Sequence, residues 1–239
     1  MRVSVVMAAY NGEQYLKEQL DSVLCQLGNN DELIVSDDGS ADGTIEIIKK
    51  YQQQYPIIQL IDGPHTGVAD NFTNAIRHST GDIIFICDQD DLWDENKIRI
   101  VKRVVEKNPN INVVMHDAGF CDEYGEPTGY KNIFELRKAK HGVLRNLIYS
   151  TYFGCCTAVR RDYMIRLLPL PNYALYDQYI GLCAESDHCS YFLKKALIQH
   201  REHRDNWSGH QSLSSQINIR KNLLKSLNEY KKRVTHANR

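Results

Sequence analysis

Two short acidic runs, Asp37-Asp38 and Asp88 with Asp90-Asp91, each stand where an apolar, strand-like segment stops, ELIVSD in one case and DIIFICD in the other. If both segments run parallel in one sheet, their carboxylates meet on the edge where open α/β sheets hold ligands. Clustered carboxylates repel one another unless a cation lies among them, so the economical reading is a divalent ion and a metal-assisted nucleotide site. The turn after the first strand, Ala9-Tyr10-Asn11-Gly12-Glu13, lacks the G-x-G-x-x-G cradle of dinucleotide folds. Phosphate charge must then be met another way, and Mg²⁺ or Mn²⁺ on one or two carboxylates can bridge a diphosphate. A calcium-loop reading fails. Counting from Asp88, the sixth residue is Trp93 and the twelfth Arg99, and the run from Asp38 has Lys49 at its twelfth position.

The elements that must position these runs alternate along the first 120 residues, which predicts a parallel sheet covered by helices. Strands are predicted near 3–9, 32–37, 57–61, 82–88 and 112–118, with helices near 13–27, 43–54, 67–78 and 95–107. Asp42 with Glu46, and Thr66 with Asp70, stand at helix starts, where acceptors and acids complement free N–H groups. Beyond 120 the alternation breaks into turn-rich, polar sequence that reads as a loop or hairpin over the site. A strand over 153–160, a helix over 174–185 and one or two strands over 190–200 follow. From about 214 a helix is marked by Ile219, Leu223, Leu227, Tyr230 and Val234.

The 239 residues, 42% hydrophobic and 25% charged, suffice for one large domain with its own core. A net charge of -1 gives no general attraction to nucleic acid, and none is expected as a partner. The one basic patch is residues 216–239, where seven basic side chains face Glu229 alone. Such a helix either packs with a solvated cationic face, joins two copies as a homodimer, or lies on anionic lipid. Seven scattered cysteines without CxxC spacing fit reduced thiols in a cytoplasm. No leader-like segment and no apolar stretch near ~20 residues is visible, so neither secretion by that route nor a membrane span is expected.

In order, Ala9-Tyr10-Asn11-Gly12, then Asp37-Asp38-Gly39-Ser40 with Asp42-Gly43-Thr44, then Gly67-Val68 with Asn71-Phe72 and Ala75, then Asp88 to Trp93, resemble glycosyltransferase family 2. The likeness extends from residue 2 to about 210 and is most specific before residue 95. Gly154 to Arg161 resembles that family's strand before its acceptor-site helix. Tyr176-Asp177-Gln178-Tyr179-Ile180 resembles the H-D-W-W-L segment of rhamnosyltransferase-like members, and His200-Arg201-Glu202-His203 their Y-R-Q-H. Tyr176 departs from the usual His, and Gln178-Tyr179 from two tryptophans.

The resemblance implies an α/β chain of GT-A fold, with a Rossmann-like, mostly parallel sheet, helices on both faces and an added C-terminal amphipathic helix. It divides the chain into a domain over 1–213, with a nucleotide-sugar half (1–119) and an acceptor half (120–213), and the basic helix over 214–239. The implied activity is inverting transfer from a UDP- or dTDP-sugar, dTDP-rhamnose among them, to a saccharide or lipid-linked saccharide in cell-surface polysaccharide synthesis. Such an enzyme would be cytoplasmic, or peripheral at the inner face of the membrane.

Position by position, the resemblance puts Ala9, Tyr10 and Asn11 at the nucleotide, Asp37 on the base edge and Asp38 nearby, with Asn71 toward the donor. Asp90 is implied as principal Mn²⁺ or Mg²⁺ ligand, Asp88 at ribose or metal, Asp91 beside the donor sugar, His203 at metal or diphosphate, and Asp177 as general base. The chemistry suits these types. A metal stabilises the leaving diphosphate, and a carboxylate on the opposite face takes the acceptor's proton.

Each residue also has a plainer reading. Asp37 and Asp38 can begin a turn, Asp177 can complement a helix dipole, and both histidines can be exposed strand residues. Cys155-Cys156 with His116 or His141 would suit nucleophilic catalysis, though buried strand cysteines are commoner. Trp207 is a candidate for stacking on sugar, and Trp93 for packing its helix start. Two other functions use similar acids: a metal-dependent nucleotidyltransferase, and a catalytically inactive sugar-nucleotide binding protein that needs no Asp177.

Overall fold

The computed structural model describes residues 1–203 and 213–237. Its first half alternates as the sequence predicts: β1 (Val3–Ala9), α1 (Leu16–Leu24), β2 (Glu32–Asp37), α2 (Thr44–Gln54), β3 (Ile58–Asp62), α3 (Val68–His78) and β4 (Ile83–Cys87). A two-residue strand, β5 (Leu92–Trp93), then precedes α4 (Lys97–Lys107) and β6 (Val113–Cys121). The second half holds α5 (Ile133–Leu136), α6 (Val143–Tyr149), β7 (Thr157–Arg160), α7 (Arg161–Leu167), α8 (Tyr176–Ser186), β8 (Ser190–Arg201) and α9 (Leu213–Ala237).

The eight strands form one sheet in the order β3-β2-β1-β4-β7-β6-β8-β5. β1 lies parallel between β2 and β4, and its apolar side chains are buried except for the half-buried Ala8, as expected of a central strand with helices on both faces. β7 runs against both β4 and β6, and β5 runs against β8, so the sheet is mixed but mostly parallel. The core is continuous from β1 and α3 through α4 to α8, and α9 joins it through Leu223, Leu227 and Tyr230.

Apart from the unexpected two-residue β5, the differences from expectation fall after residue 120. β6 continues to Cys121 before the polar turn, and α6 and α7 are short helices with too few turns for periodicity to mark. The 153–160 strand begins only at Thr157, because Gly154–Cys156 form a tight 3-10 turn. The 190–200 region is a single strand, its register against β6 broken by bulges near Asp117. Among the described residues no helix is long and apolar enough to cross a membrane.

Candidate active site

Parallel register brings the two acidic runs to one edge. Ala9 stands opposite Asp37, and Met7 opposite Cys87, so the segments after β1, β2 and β4 emerge together. The β2 acids are then spent on their own loops. Asp37 is buried and accepts from Gly39 N at 3.1 Å, Ser40 N at 2.8 Å and Ser40 Oγ at 2.5 Å. Asp38 accepts from His65 N at 2.7 Å and Gly67 N at 3.0 Å, which fixes the chain entering α3. Asn71, on α3, donates to Ser36 O at 2.8 Å and closes the end of β2. Asn11 takes a positive φ of 47° and bonds Ser40 Oγ and Ala41 N. Tyr10 is left outward, 57% exposed, with its backbone clamped by a reciprocal pair from Gln89: Tyr10 N to Oε1 and Nε2 to Tyr10 O, both 2.9 Å.

The run after β4 is arranged in two depths. Asp91 is fully buried, and accepts from His200 Nδ1 at 2.7 Å and Arg201 N at 3.2 Å. Asp91 was expected beside the donor sugar; enclosed in this way, it supports the loop from below instead. Burial works to raise its pKa, but the charge and hydrogen bond of His200, with the Cys155 thiol and Arg201 N–H, hold it below the usual carboxylate range. For His200 burial disfavours the imidazolium, yet Asp91's charge and hydrogen bond, with Asp88 and Asp90 behind, raise it to about 10. Asp91, Cys155 and His200 bring ligand-type atoms within 4.8 Å of one another, a group that could hold a metal ion and in which His200 and Asp91 form a 2.7 Å pair.

Asp88 and Asp90 stand nearer the surface. Asp90 Oδ2 lies 2.9 Å from His203 Nε2, while His203 Nδ1 is buried without a partner. Burial, Asp91 and Asp90 push Asp88 up to about 8, with Asp177 adding to the repulsion and His200 opposing it. Among the described residues the one group of three ligand-type side chains gathered within 4.8 Å is Asp91, Cys155 and His200; Asp90 and His203 meet as a pair, and Asp88 is not gathered with them as a third ligand.

Two residues beyond the expected set hold this run. Arg201 is buried and donates Nε to Asp90 O at 2.9 Å, Nη1 to Glu123 O at 2.8 Å and Nη2 to Glu18 Oε2 at 2.5 Å. Lys97 is fully buried, with Nζ 2.8 Å from Cys155 O and 3.5 Å over the Trp93 ring. Burial lowers its pKa, against the pull of Cys87, Cys156, Cys155 and Asp91. Its place was visible in the spacing Lys97, Val101, Val105, which is the buried stripe of α4. Trp93 packs on Phe85 with ring centroids 5.9 Å apart, as expected of a helix-start residue. Trp207 lies outside the described residues.

Asp177 stands in the first turn of α8, where its Oδ1 accepts from Gln178 N at 2.7 Å. Burial pushes it up to about 6, against the N–H groups of Gln178, Asp177 and Gly154 and the charge of Arg137. Its charge adds, as the smallest of the named causes, to the repulsion that raises Asp88. Tyr176 packs on Phe72 at 5.0 Å between centroids. A Cβ on Gly154 would come within 2.2 Å of Tyr176 Oη, so glycine is needed there. The cysteine-nucleophile reading finds no chemistry: a hydrogen bond with Cys156 and burial raise Cys155 far above a reactive thiol, and burial holds His116 neutral.

Residues 4–168 match the model of the family described as Glycosyl transferase family 2. The chain belongs to that family. Among curated relatives, the dTDP-rhamnosyl transferase RfbG of Shigella flexneri is 26% identical over 220 residues, covering 85% of this chain and 73% of that protein. The uncharacterized glycosyltransferase alr2836 of Nostoc sp. is 30% identical over 117 residues, which span 48% of this chain and only 36% of that protein. Among solved structures, S. aureus TarS 1-349 in complex with UDP-GlcNAc superposes with a TM-score of 0.73 at 17% identity, over 98% of this chain and 72% of that one. Glucosyl-3-phosphoglycerate synthase of Mycobacterium tuberculosis, in complex with Mn²⁺, UDP and phosphoglyceric acid, superposes at 0.62 and 18% identity, over 95% of this chain and 78% of that one. The fold of this family 2 chain is therefore GT-A, as its sequence motifs imply.

Proposed function

We propose that the chain is an inverting glycosyltransferase that moves a hexose or deoxyhexose from a UDP- or dTDP-sugar to a hydroxyl of a saccharide or lipid-linked saccharide. The observation that carries this reading is the parallel register of β1, β2 and β4, which brings the Asp37-Asp38 and Asp88–Asp91 runs to one sheet edge in a chain that matches glycosyltransferase family 2. A bound Mn²⁺ or Mg²⁺ on Asp88, Asp90 and His203 would neutralise the diphosphate as it departs. The Mn²⁺ and UDP-GlcNAc named with the two solved relatives support that assignment, and the RfbG likeness, which covers most of both chains, favours testing dTDP-deoxyhexoses first.

The steps left to the protein are positional and acid-base. Tyr10 offers an exposed ring beside the edge where Asp37 and Asp38 shape the base pocket, and the Gln89 clamp holds its backbone there. Asp177, as carboxylate, takes the proton of the acceptor hydroxyl while that oxygen bonds to the anomeric carbon. The bond from that carbon to the diphosphate breaks, and its electron pair leaves on the phosphate oxygen. One displacement from the far face inverts the configuration, and no covalent sugar-enzyme bond is needed. Arg137, whose charge acts on Asp177, helps keep the base ionised.

The seven free cysteines support a cytoplasmic setting in this reading. Product analysis of donor panels with wild type, Asp90→Ala and Asp177→Asn tests it. Transfer by wild type alone, with nucleotide binding kept in Asp177→Asn, is the expected result. Release of free pyrophosphate would favour a nucleotidyltransferase, and binding without turnover by any donor-acceptor pair would favour an inactive binding protein.

A further inference from the structure

A surface remote in role from the acids runs over α6 and α9. α9 buries Leu223, Leu227 and Tyr230, and Arg220 donates to Leu147 O at 3.1 Å and Ile148 O at 3.0 Å, tying α9 to the end of α6. Flanking that buried stripe, α9 exposes Ile217, Leu224 and Lys231, with Lys221, Lys225 and Lys232 further round the helix. Ile217 and Leu224 flank Arg220 at i−3 and i+4, on the side of the helix that meets α6. α6, joined to α9 through Arg220, exposes Leu144 and Ile148 (78% and 60%), and α9 exposes Ile217 and Leu224 (55% and 44%). Glu229, the one acid of α9, accepts from Tyr173 Oη at 2.7 Å, and Lys225 Nζ lies 4.7 Å over the same ring, which leaves Lys221, Lys231 and Lys232 as the lysines away from that contact.

Large exposed aliphatic side chains bordered by four lysines match a boundary that is apolar on one side and negatively charged on the other. We infer that α6 and α9 together dock this chain on an anionic lipid surface, with Leu144, Ile148, Ile217 and Leu224 entering the acyl boundary and the lysines meeting headgroup charge. The terminal helix supplies the charge and half of the apolar area, and α6 supplies the rest. Neither helix spans the bilayer, so the contact is peripheral and sensitive to salt. The inference extends the reading above, since a docked enzyme meets lipid-linked acceptors at the membrane, but its test requires no turnover.

The test is co-sedimentation of the full chain with vesicles of phosphatidylglycerol and phosphatidylcholine in equal parts, and with phosphatidylcholine alone, at low and high salt. Wild type is expected to pellet with the anionic vesicles only, and less at high salt. Lys221→Gln and Lys225→Gln should each weaken partitioning about fivefold. Leu144→Ser with Ile148→Ser should weaken it further while leaving the Mn²⁺-dependent thermal shift with UDP or dTDP unchanged. That shift shows the variants are folded, and its loss in wild type would count against the donor site, not the docking face. Wild type remaining in the supernatant overturns the inference, as does equal pelleting of the wild type and the Leu144→Ser, Ile148→Ser variant. A dimer that these substitutions dissociate, without vesicle binding, would make the face a subunit interface and overturn it too.

Discussion

Arg201 donates its Nε to the backbone carbonyl of Asp90 at 2.9 Å, and the same guanidinium reaches Glu123 O and Glu18. One planar fork thus sets the acidic run against α1 and against the turn that follows β6. Lysine keeps the charge but loses the fork. Arg201→Lys is therefore expected to lower Mn²⁺ affinity about tenfold to a hundredfold, the usual effect of disturbing the residues that orient metal ligands. Arg201→Ala should also destabilise the fold by roughly 1–3 kcal/mol, because it leaves the carbonyls of Asp90 and Glu123 without their donor while Glu18 stays exposed. Metal titration and denaturant unfolding check the two parts separately.

The buried pair of His200 and Asp91 gives stability a distinct pH dependence. His200 has a folded pKa of about 10, above its unfolded value, so its contribution is complete below about 6.5 and is lost as pH rises toward 10. Asp91 is held low, so its contribution is present above about 4 and is lost as pH falls. Wild type should exceed His200→Gln in stability most clearly between those limits, by about 3 kcal/mol, with the gap closing toward pH 10. Unfolding midpoints of both proteins across this range test it, and a gap that stays constant to pH 10 would refute the ion pair.

The strands and helices of the first half were legible because each is long enough to show its period and each acidic run follows a strand end. β7 was legible as a strand but not as the one inserted antiparallel between β4 and β6, since that placement depends on pairing over some 75 residues of sequence. The site was legible as a neighbourhood and less so atom by atom. Asp37, Asp38 and Asn71 are on the expected edge, yet their polar atoms hold loop backbone, and Asp91 lies beneath the surface rather than on it. Arg201 and Lys97 escaped because a charged residue in sequence gives no sign of being enclosed, apart from the apolar stripe on which Lys97 falls.

Asp88 should behave as a strained acid until a cation arrives. Its folded pKa, raised to about 8, means that ionising it costs stability progressively from about pH 4 to about 8 in the metal-free protein. Asp88→Asn is expected to raise the metal-free melting temperature at pH 7 while removing the extra stabilisation that Mn²⁺ gives with UDP or dTDP. Asp90→Ala should lose the same metal-dependent shift without the gain. Thermal unfolding with and without Mn²⁺ reads both effects, and a retained Mn²⁺ response in both variants would exclude these ligands.

In the proposed reading Asp177 is the base, and burial gives it a pKa suited to that role near neutrality. With its pKa at about 6, the carboxylate fraction rises through that pH, so transfer should climb on an acidic limb centred near 6. Asp177→Asn is expected to reduce kcat by at least about a hundredfold, the low end of general-base contributions, while the nucleotide-induced thermal shift persists. A pH profile flat across 5 to 7 in the wild type would mean that another group takes the proton.

The packing of Gly154 under Tyr176 provides a separate way to disturb that base without touching it. A methyl on Gly154 would lie 2.2 Å from Tyr176 Oη and 2.9 Å from Cζ, so Gly154→Ala must displace the ring that begins α8. Asp177 follows that ring in the same turn, and Gly154 N–H is among the groups that favour its ionised form. The variant is expected to lose about 1–3 kcal/mol from overpacking and, if it remains folded, to shift the acidic limb of the pH profile upward. Tyr176→Phe removes the closest atom and should restore part of both losses when combined with Gly154→Ala. A double-mutant cycle on stability and on the pH midpoint measures this coupling, and strictly additive effects would show that Gly154 does not act on Asp177 through Tyr176.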